Sequence, residues 1–139
     1  MADTSRRRFL STTAVLGAAS LLSGKAKAGA QQICSQLPKL THQVFFWLKN
    51  PDSIEDRDKL VEGLNDLRRI ESIRGLQIGV PASTEKREVV DNSYQVSETM
   101  FFDNTEGQNS YQVHPLHQEF VEQYSHLWAK VVVYDSITL

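Results

Sequence analysis

Residues 111–120 have the sequence YQVHPLHQEF, in which His114 and His117 flank Pro115. Proline cannot continue a helix, because its ring clashes with the carbonyl four residues back and it has no N–H to donate. It suits the first turn of a new helix, so this stretch predicts a corner between two helical segments. Tyr111, His114 and His117 then lie around one bend. They form either a polar functional cluster or a structural one, with His114 capping the second helix and Tyr111 packed in the core.

The segments around this corner predict four strands and two helical regions. The predicted strands span residues 41–49, 74–81, 94–102 and 130–137. Ser53 and Asp56 form a plausible capping box for the first helix. Its predicted buried stripe is Leu60, Val61, Leu64, Leu67 and Ile70. After the corner, Leu116, Phe120, Tyr124 and Leu127 recur at helical spacing. The order β-α-β-β-α-β is typical of an α+β, ferredoxin-like domain.

The first predicted strand carries bulky apolar side chains on both of its faces. Val44 and Phe46 share one face with His42, whereas Phe45 and Trp47 lie on the other. A single layer of helices can cover only one face of a sheet. We therefore expect helices on one face and a second copy of the chain on the other, which predicts a homodimer.

The pattern Y-x-x-H-P-x-H-x-x-F ahead of an apolar strand resembles the stress-responsive A/B barrel (Dabb) domain family. The resemblance covers roughly residues 41–137 and implies a ferredoxin-like domain that pairs into a dimeric α/β barrel. Most members have no assigned activity, and a plant polyketide cyclase is the best understood exception. In that cyclase the positions matching Tyr111 and His117 are acid/base partners, and the position matching Asp135 orients the histidine. The resemblance thus implies His117, Tyr111 and Asp135 as catalytic residues.

The residue types themselves fit this chemistry. A histidine titrates near neutral pH and can take a proton next to a carbonyl, and a nearby tyrosine can hydrogen-bond the developing enolate. The ligand would be a small apolar or carbonyl-containing compound. The residues expected to line its pocket are His42, Phe46, Leu60, Val61, Leu64, Val96, Glu98, His114, Trp128 and Val133.

This pocket departs from that of the cyclase on the third strand and the first helix. Val96 stands where the cyclase has a histidine, and Glu98 stands where it has an apolar residue. Leu60, Val61 and Leu64 stand where it has aromatic residues. The pocket should therefore differ in shape and polarity, and the cyclase substrate is not carried over. A carboxylate at Glu98 is expected either at an open pocket or in a pair, because an isolated buried charge is costly.

The N-terminus has the pattern of an export signal. Residues 5–10 are SRRRFL, a twin-arginine motif, an apolar stretch at residues 10–22 follows, and residues 26–28 form an A-x-A cleavage site. We expect residues 1–28 to be a signal peptide, 29–40 a linker and 41–139 the Dabb domain. The protein would be periplasmic or secreted in a bacterium, without membrane anchoring after cleavage. Cys34 is the only cysteine, which excludes an intrachain disulfide and leaves an inert thiol or an intermolecular bond.

Composition excludes some classes of function. Hydrophobic residues make up 40% of the chain, enough for a core. Residues 29–139 hold 10 basic and 16 acidic side chains, a net charge of −6 that argues against nucleic-acid binding. No phosphate-binding or dinucleotide motif occurs, so no cofactor is predicted.

Three hypotheses remain open at this point. The protein is an exported lyase- or cyclase-type enzyme, a dimeric binding or stress-protection module without turnover, or a haem- or metal-binding protein. The third would use His42, His114, His117 and Glu98, but their spacing matches no usual ligand set, so no metal ligand is assigned.

Overall fold

The fold was analysed in a computed structural model, which describes residues 38–139. The predicted signal peptide, Cys34 and most of the predicted linker lie outside these residues. Along the chain the elements are β1 (Leu40–Leu48), α1 (Ile54–Asp66), β2 (Gly75–Gly79), β3 (Val96–Phe102), α2 (Thr105–Gln112), α3 (Pro115–Tyr124) and β4 (Trp128–Ile137). Short 3-10 turns, Leu67–Arg69 and Ser125–Leu127, follow α1 and α3.

The four strands form one antiparallel sheet in the order β2-β3-β1-β4. The two central strands pair from Leu40 opposite Phe102 to Phe46 opposite Val96. This is the predicted α+β, ferredoxin-like fold, with the second helical region divided at the predicted corner. β3 begins two residues later than predicted. Here the Leu48 N–H donates to the Gln95 side chain at 2.8 Å instead of to a ladder carbonyl.

The first helix begins where the sequence predicts. The Ser53 side chain accepts a hydrogen bond from the Asp56 backbone N–H at 3.1 Å, which satisfies one free donor of the first turn. The predicted stripe lies against the sheet, with Leu60, Leu64 and Leu67 fully buried. No helix of residues 38–139 is long and apolar enough to cross a membrane.

The two faces of the sheet differ in how well they are covered. On β1, residues at even positions from Leu40 to Leu48 are buried, and those between them are partly exposed. The buried face packs under the helices together with Val96, Met100 and Phe102 of β3. On the other face, the rings of Tyr94 and Tyr134 contact Phe45, but no element of residues 38–139 forms a second layer there.

Candidate functional site

The corner between α2 and α3 is built around Pro115. α2 ends at Gln112, and Pro115 occupies the first turn of α3, where its missing N–H has no consequence. His114 has extended backbone angles and is the N-cap of α3, since its Nδ1 accepts a hydrogen bond from the Leu116 N–H at 3.1 Å. His114 is therefore a structural cap, and Tyr111 and His117 are the corner residues that face the sheet side.

A cavity of about 170 Å³ lies between this corner and the sheet. It brings together seven of the predicted site residues: His42, Phe46, Glu98, Tyr111, His117, Trp128 and Val133. The sequence did not single out the other residues of its lining, which are Val44, Gln112, Phe120, Val121 and Val131. Helical spacing from His117 and strand alternation from His42 and Val133 were the signals that could have found four of these five.

The remaining predicted pocket residues lie elsewhere. Leu60, Leu64 and Val96 are absent from the cavity lining, because they are fully buried in the core between helix and sheet. Val61 packs against the edge of that core. His114 is also absent from the lining, since its ring is used as the helix cap.

The expected partnership between Asp135 and His117 is wrong in this structure. Asp135 lies directly opposite His42 in the β1–β4 ladder, so the two side chains share one face of the sheet. The His42 Nδ1 lies 2.6 Å from Asp135 Oδ1. The His117 Nδ1 instead lies 3.2 Å from the Gln112 backbone carbonyl. The carboxylate therefore orients His42, and it does so from outside the cavity lining.

Tyr111 lies between the two imidazoles. Its ring centroid is 4.4 Å from that of His117 and 5.7 Å from that of His42. The side chain is only 1% exposed. Burial, and secondarily the neighbouring Glu98, raise the pKa of the phenol above its usual value. Tyr111 therefore keeps its proton and remains a hydrogen-bond donor.

His117 is the more accessible of the two imidazoles. Burial lowers its pKa, and His42 lowers it further, whereas the Gln112 carbonyl acts in the opposite direction. The ring is therefore neutral near pH 7. Because a carbonyl can only accept, Nδ1–H donates to Gln112, and Nε2 is left as a proton acceptor.

Glu98 is the carboxyl group of the cavity. It is 2% exposed, and burial raises its pKa to about 8. Within residues 38–139, its Oε2 atom has no hydrogen-bond partner. Of the two expected arrangements, an open pocket or a pair, the structure has Glu98 at a pocket and without a partner.

The sequence of this domain matches a known protein family. The model of the stress responsive A/B barrel domain, Dabb, matches residues 40–138. The chain belongs to this family. No curated protein matches the sequence.

Solved structures with the same fold include proteins of plants and bacteria. A protein of Arabidopsis thaliana has 26% identity and a TM-score of 0.58, with 72% of this chain and 99% of that chain covered. A dimeric ferredoxin-like protein of unknown function from Thermobifida fusca has 16% identity and a TM-score of 0.59, with 74% and 93% covered. Hydroxynitrile lyase from Passiflora edulis has 19% identity and a TM-score of 0.61, with 73% and 95% covered. The proteins of Thermobifida fusca and Passiflora edulis are only 16% and 19% identical to this chain, so they are similar to it in fold only.

The cavity of this Dabb domain is open along β4. Val131 and Val133 line it and are 36% and 46% exposed, because the helices do not extend over this edge strand. Among residues 38–139, no group of three or more His, Cys, Asp or Glu side chains is placed to hold a metal ion. The cavity is partly apolar and carries two imidazoles, one phenol and one carboxyl group.

Proposed function

We propose that this Dabb domain binds a small, partly apolar carbonyl compound and catalyses proton transfer on it, as a lyase- or cyclase-type enzyme. The observation that carries the proposal is the placement of Tyr111 between two imidazoles in one cavity. A proton acceptor and a proton-bearing donor beside one ligand are the two groups that enolate chemistry needs.

His117 is the base in this proposal. Its Nε2 is unprotonated near pH 7, and its ring is accessible from the cavity. Nε2 takes a proton from the carbon next to the carbonyl, and the electrons of that C–H bond move toward the carbonyl oxygen. The Tyr111 hydroxyl donates a hydrogen bond to the enolate oxygen that develops. The ligand then reacts at carbon or regains its proton there.

His42 is a positioning residue. Asp135 accepts from Nδ1–H and so fixes the ring and its tautomer, as carboxylates do beside other catalytic histidines. The ring is 3% exposed and contacts Tyr111 edge-on. Acid–base chemistry at such a cavity is consistent with the name of one structural neighbour, a hydroxynitrile lyase, although that likeness is of fold.

Hydrogen–deuterium exchange tests this function directly. The protein is incubated in D₂O with small aryl alkyl ketones, including acetophenone, and loss of the protons on the carbon next to the carbonyl is followed by NMR. We expect exchange to be accelerated, and His117→Ala to reduce the acceleration about 100-fold or more. His114→Ala is the matched control and should retain it. Binding without acceleration across the panel would instead identify a binding module without turnover.

We also propose that the domain works as a homodimer. The support is the row of aromatic side chains Phe45, Trp47, Tyr94 and Tyr134 on the sheet face that the helices leave open. One structural neighbour is described as dimeric. Sedimentation at micromolar concentration tests the proposal, and a monomer would remove it.

We further propose that the protein is exported by the twin-arginine route, on the basis of the sequence of residues 5–28. Changing Arg6 and Arg7 together to Lys should block export, because the receptor recognises the pair. Arg8→Lys is the control, since it leaves the pair intact. Equal export of the double variant and the control would show that the signal is misassigned.

A further inference from the structure

Glu98 occupies a position where stability alone favours an apolar residue. It lies in the middle of β3, directly opposite Val44 of β1 and Ile78 of β2. The other β3 residues on this face are apolar, and the Glu98 side chain is 2% exposed. A buried polar group without a partner destabilises the fold, and apolar replacements at such positions are often stabilising. Packing therefore does not account for a carboxyl group here.

The cavity offers Glu98 no cation to pair with. The titratable groups that face it are His42 from β1, Tyr111 from α2 and His117 from α3. No Lys or Arg of residues 38–139 lines the cavity, and β4 contributes Val131 and Val133 to it. Because burial raises the pKa of Glu98 to about 8, the carboxyl group carries its proton at pH 7 and has an O–H to donate.

We propose that Glu98 selects carbonyl ligands for this cavity by donating a hydrogen bond from its carboxyl group to the carbonyl oxygen. The inference rests on the proposed function, and it adds a specificity-determining residue to Tyr111 and His117. Tyr111 supplies a second donor from another wall of the same cavity. A cationic amine fits less well, because Glu98 would first have to ionise, and two imidazoles face the same space.

The walls indicate which carbonyl compounds to use as probes. Phe46, Phe120 and Trp128 give the cavity aromatic surfaces, and its volume is about 170 Å³. An apolar protein cavity of roughly 150 Å³ holds benzene. Aryl ketones of the size of acetophenone are therefore suitable, with ethylbenzene as the analogue without oxygen and 1-phenylethylamine as the cationic analogue.

NMR titration of the protein with these three probes tests the proposal. We expect the wild type to bind acetophenone at least about tenfold more tightly than ethylbenzene, because each hydrogen bond to the carbonyl is worth up to about tenfold. Glu98→Gln keeps an N–H donor of the same shape and should retain acetophenone affinity within about threefold. Glu98→Met removes the donor at similar volume. It should lower acetophenone affinity about tenfold, the value of one hydrogen bond, and leave ethylbenzene affinity unchanged.

The pH profile provides a readout that a merely structural role of Glu98 would not change. Acetophenone affinity should fall above pH of about 8 in the wild type, where Glu98 ionises and loses its proton. The Glu98→Gln variant should not show this loss. The other titratable groups of the cavity are present in both proteins, so the difference between the two profiles reports the ionisation of Glu98. This comparison also decides the matter if Glu98→Met does not fold.

Three outcomes would overturn the proposal. They are equal wild-type affinity for acetophenone and ethylbenzene, unchanged acetophenone affinity in a folded Glu98→Met variant, and preferential binding of 1-phenylethylamine that depends on Glu98. Failure of the proposed catalysis looks different. In that case acetophenone binds in the Glu98-dependent way, but its protons do not exchange faster than in buffer.

Discussion

Both faces of the sheet carry large apolar side chains, but only the face under the helices holds a histidine and a glutamate at its centre. The face under the helices is closed, yet it holds His42 and Glu98 in the middle of otherwise apolar strands. On the open face, the side chains of β1 are uncharged. Tyr134, on the neighbouring strand β4, is 60% exposed. Each face thus contains residues that the stability of a single chain does not explain.

This difference supports the two proposals, a ligand site under the helices and a dimer interface on the open face. A buried polar group without a partner destabilises the fold, and Glu98 under the helices has such an atom, which supports the proposed ligand site. Exposed aromatic side chains are unfavourable in water and are enriched where another protein packs. Substitutions on the two faces should accordingly alter different properties: stability and ligand binding on the closed face, and association on the open face.

The largest expected difference between the faces is in unfolding free energy, at two neighbouring residues of β3. Phe102 is fully buried under the helices, whereas Phe101 lies on the open face and is partly exposed. Phe102→Ala should destabilise the chain by about 3 to 5 kcal/mol, through lost burial and the cavity that it leaves. Phe101→Ala should cost about 1 kcal/mol at protein concentrations where the monomer dominates. Urea unfolding measures both, and equal losses would contradict the distinction.

The second prediction concerns the pH dependence of the closed face. Burial raises the pKa of Glu98 from 4.5 to about 8, so the unfolded chain releases this proton at lower pH than the native chain. The contribution of Glu98 is therefore fully present below pH 4.5 and is lost as pH rises toward 8. Between pH 5 and 7 the loss should be about 2 to 3 kcal/mol, close to the limit of about 1.4 kcal/mol per pH unit for one group.

Glu98→Gln should remove this component of the pH dependence. Unfolding free energies of the wild type and the variant are measured at pH 5 and pH 7, and the variant serves to subtract every other titrating group. Identical slopes in the two proteins would mean that Glu98 ionises normally and that water reaches it.

The third prediction tests the open face. Tyr134→Glu adds a charge on the edge strand at a largely exposed position, so the isolated domain should lose less than about 0.5 kcal/mol. In a dimer that covers this face, the same carboxylate would be buried. The dimer dissociation constant should then rise about 30-fold, which corresponds to about 2 kcal/mol of weaker association. Sedimentation at a series of concentrations measures this. Unchanged association would place the interface elsewhere.

The sequence predicted the fold because its signals are local. Strand alternation, the Ser53–Asp56 cap and the proline corner each depend on residues that are close in the chain, and all three are present. The order of elements then left the ferredoxin-like sheet as the arrangement to expect. Only the ends of the strands differ from the prediction. At the start of β3, for example, the Leu48 N–H donates to the side chain of Gln95 instead of to a backbone carbonyl.

The site was predicted less completely, because its contacts depend on register between distant strands. Alternation placed His42 and Asp135 on defined faces of their strands, but only the β1–β4 register brings them 2.6 Å apart across 93 positions. The resemblance assigned Asp135 to His117, whose ring is instead near the Gln112 carbonyl. The sequence also did not show how deeply each side chain is buried. Leu60, Leu64 and Val96 lie on the predicted faces of their elements, but they are buried in the core below the cavity lining.

The smallest predicted effect separates the two histidines of the corner. His114 caps α3 through its Nδ1, so His114→Ala leaves the Leu116 N–H without its partner and should lower the unfolding free energy by about 0.5 to 2 kcal/mol. His114→Asn, which can accept the same hydrogen bond, should restore most of it. His117 donates only one long hydrogen bond, 3.2 Å from its Nδ1 to the Gln112 carbonyl at the end of α2, so His117→Ala should change stability less than His114→Ala does. Thermal melts of the three variants, compared with acetophenone binding, measure both properties. A larger stability loss for His117→Ala than for His114→Ala, with acetophenone binding and exchange intact, would make His117 a structural residue of the closed face and remove the proposed base.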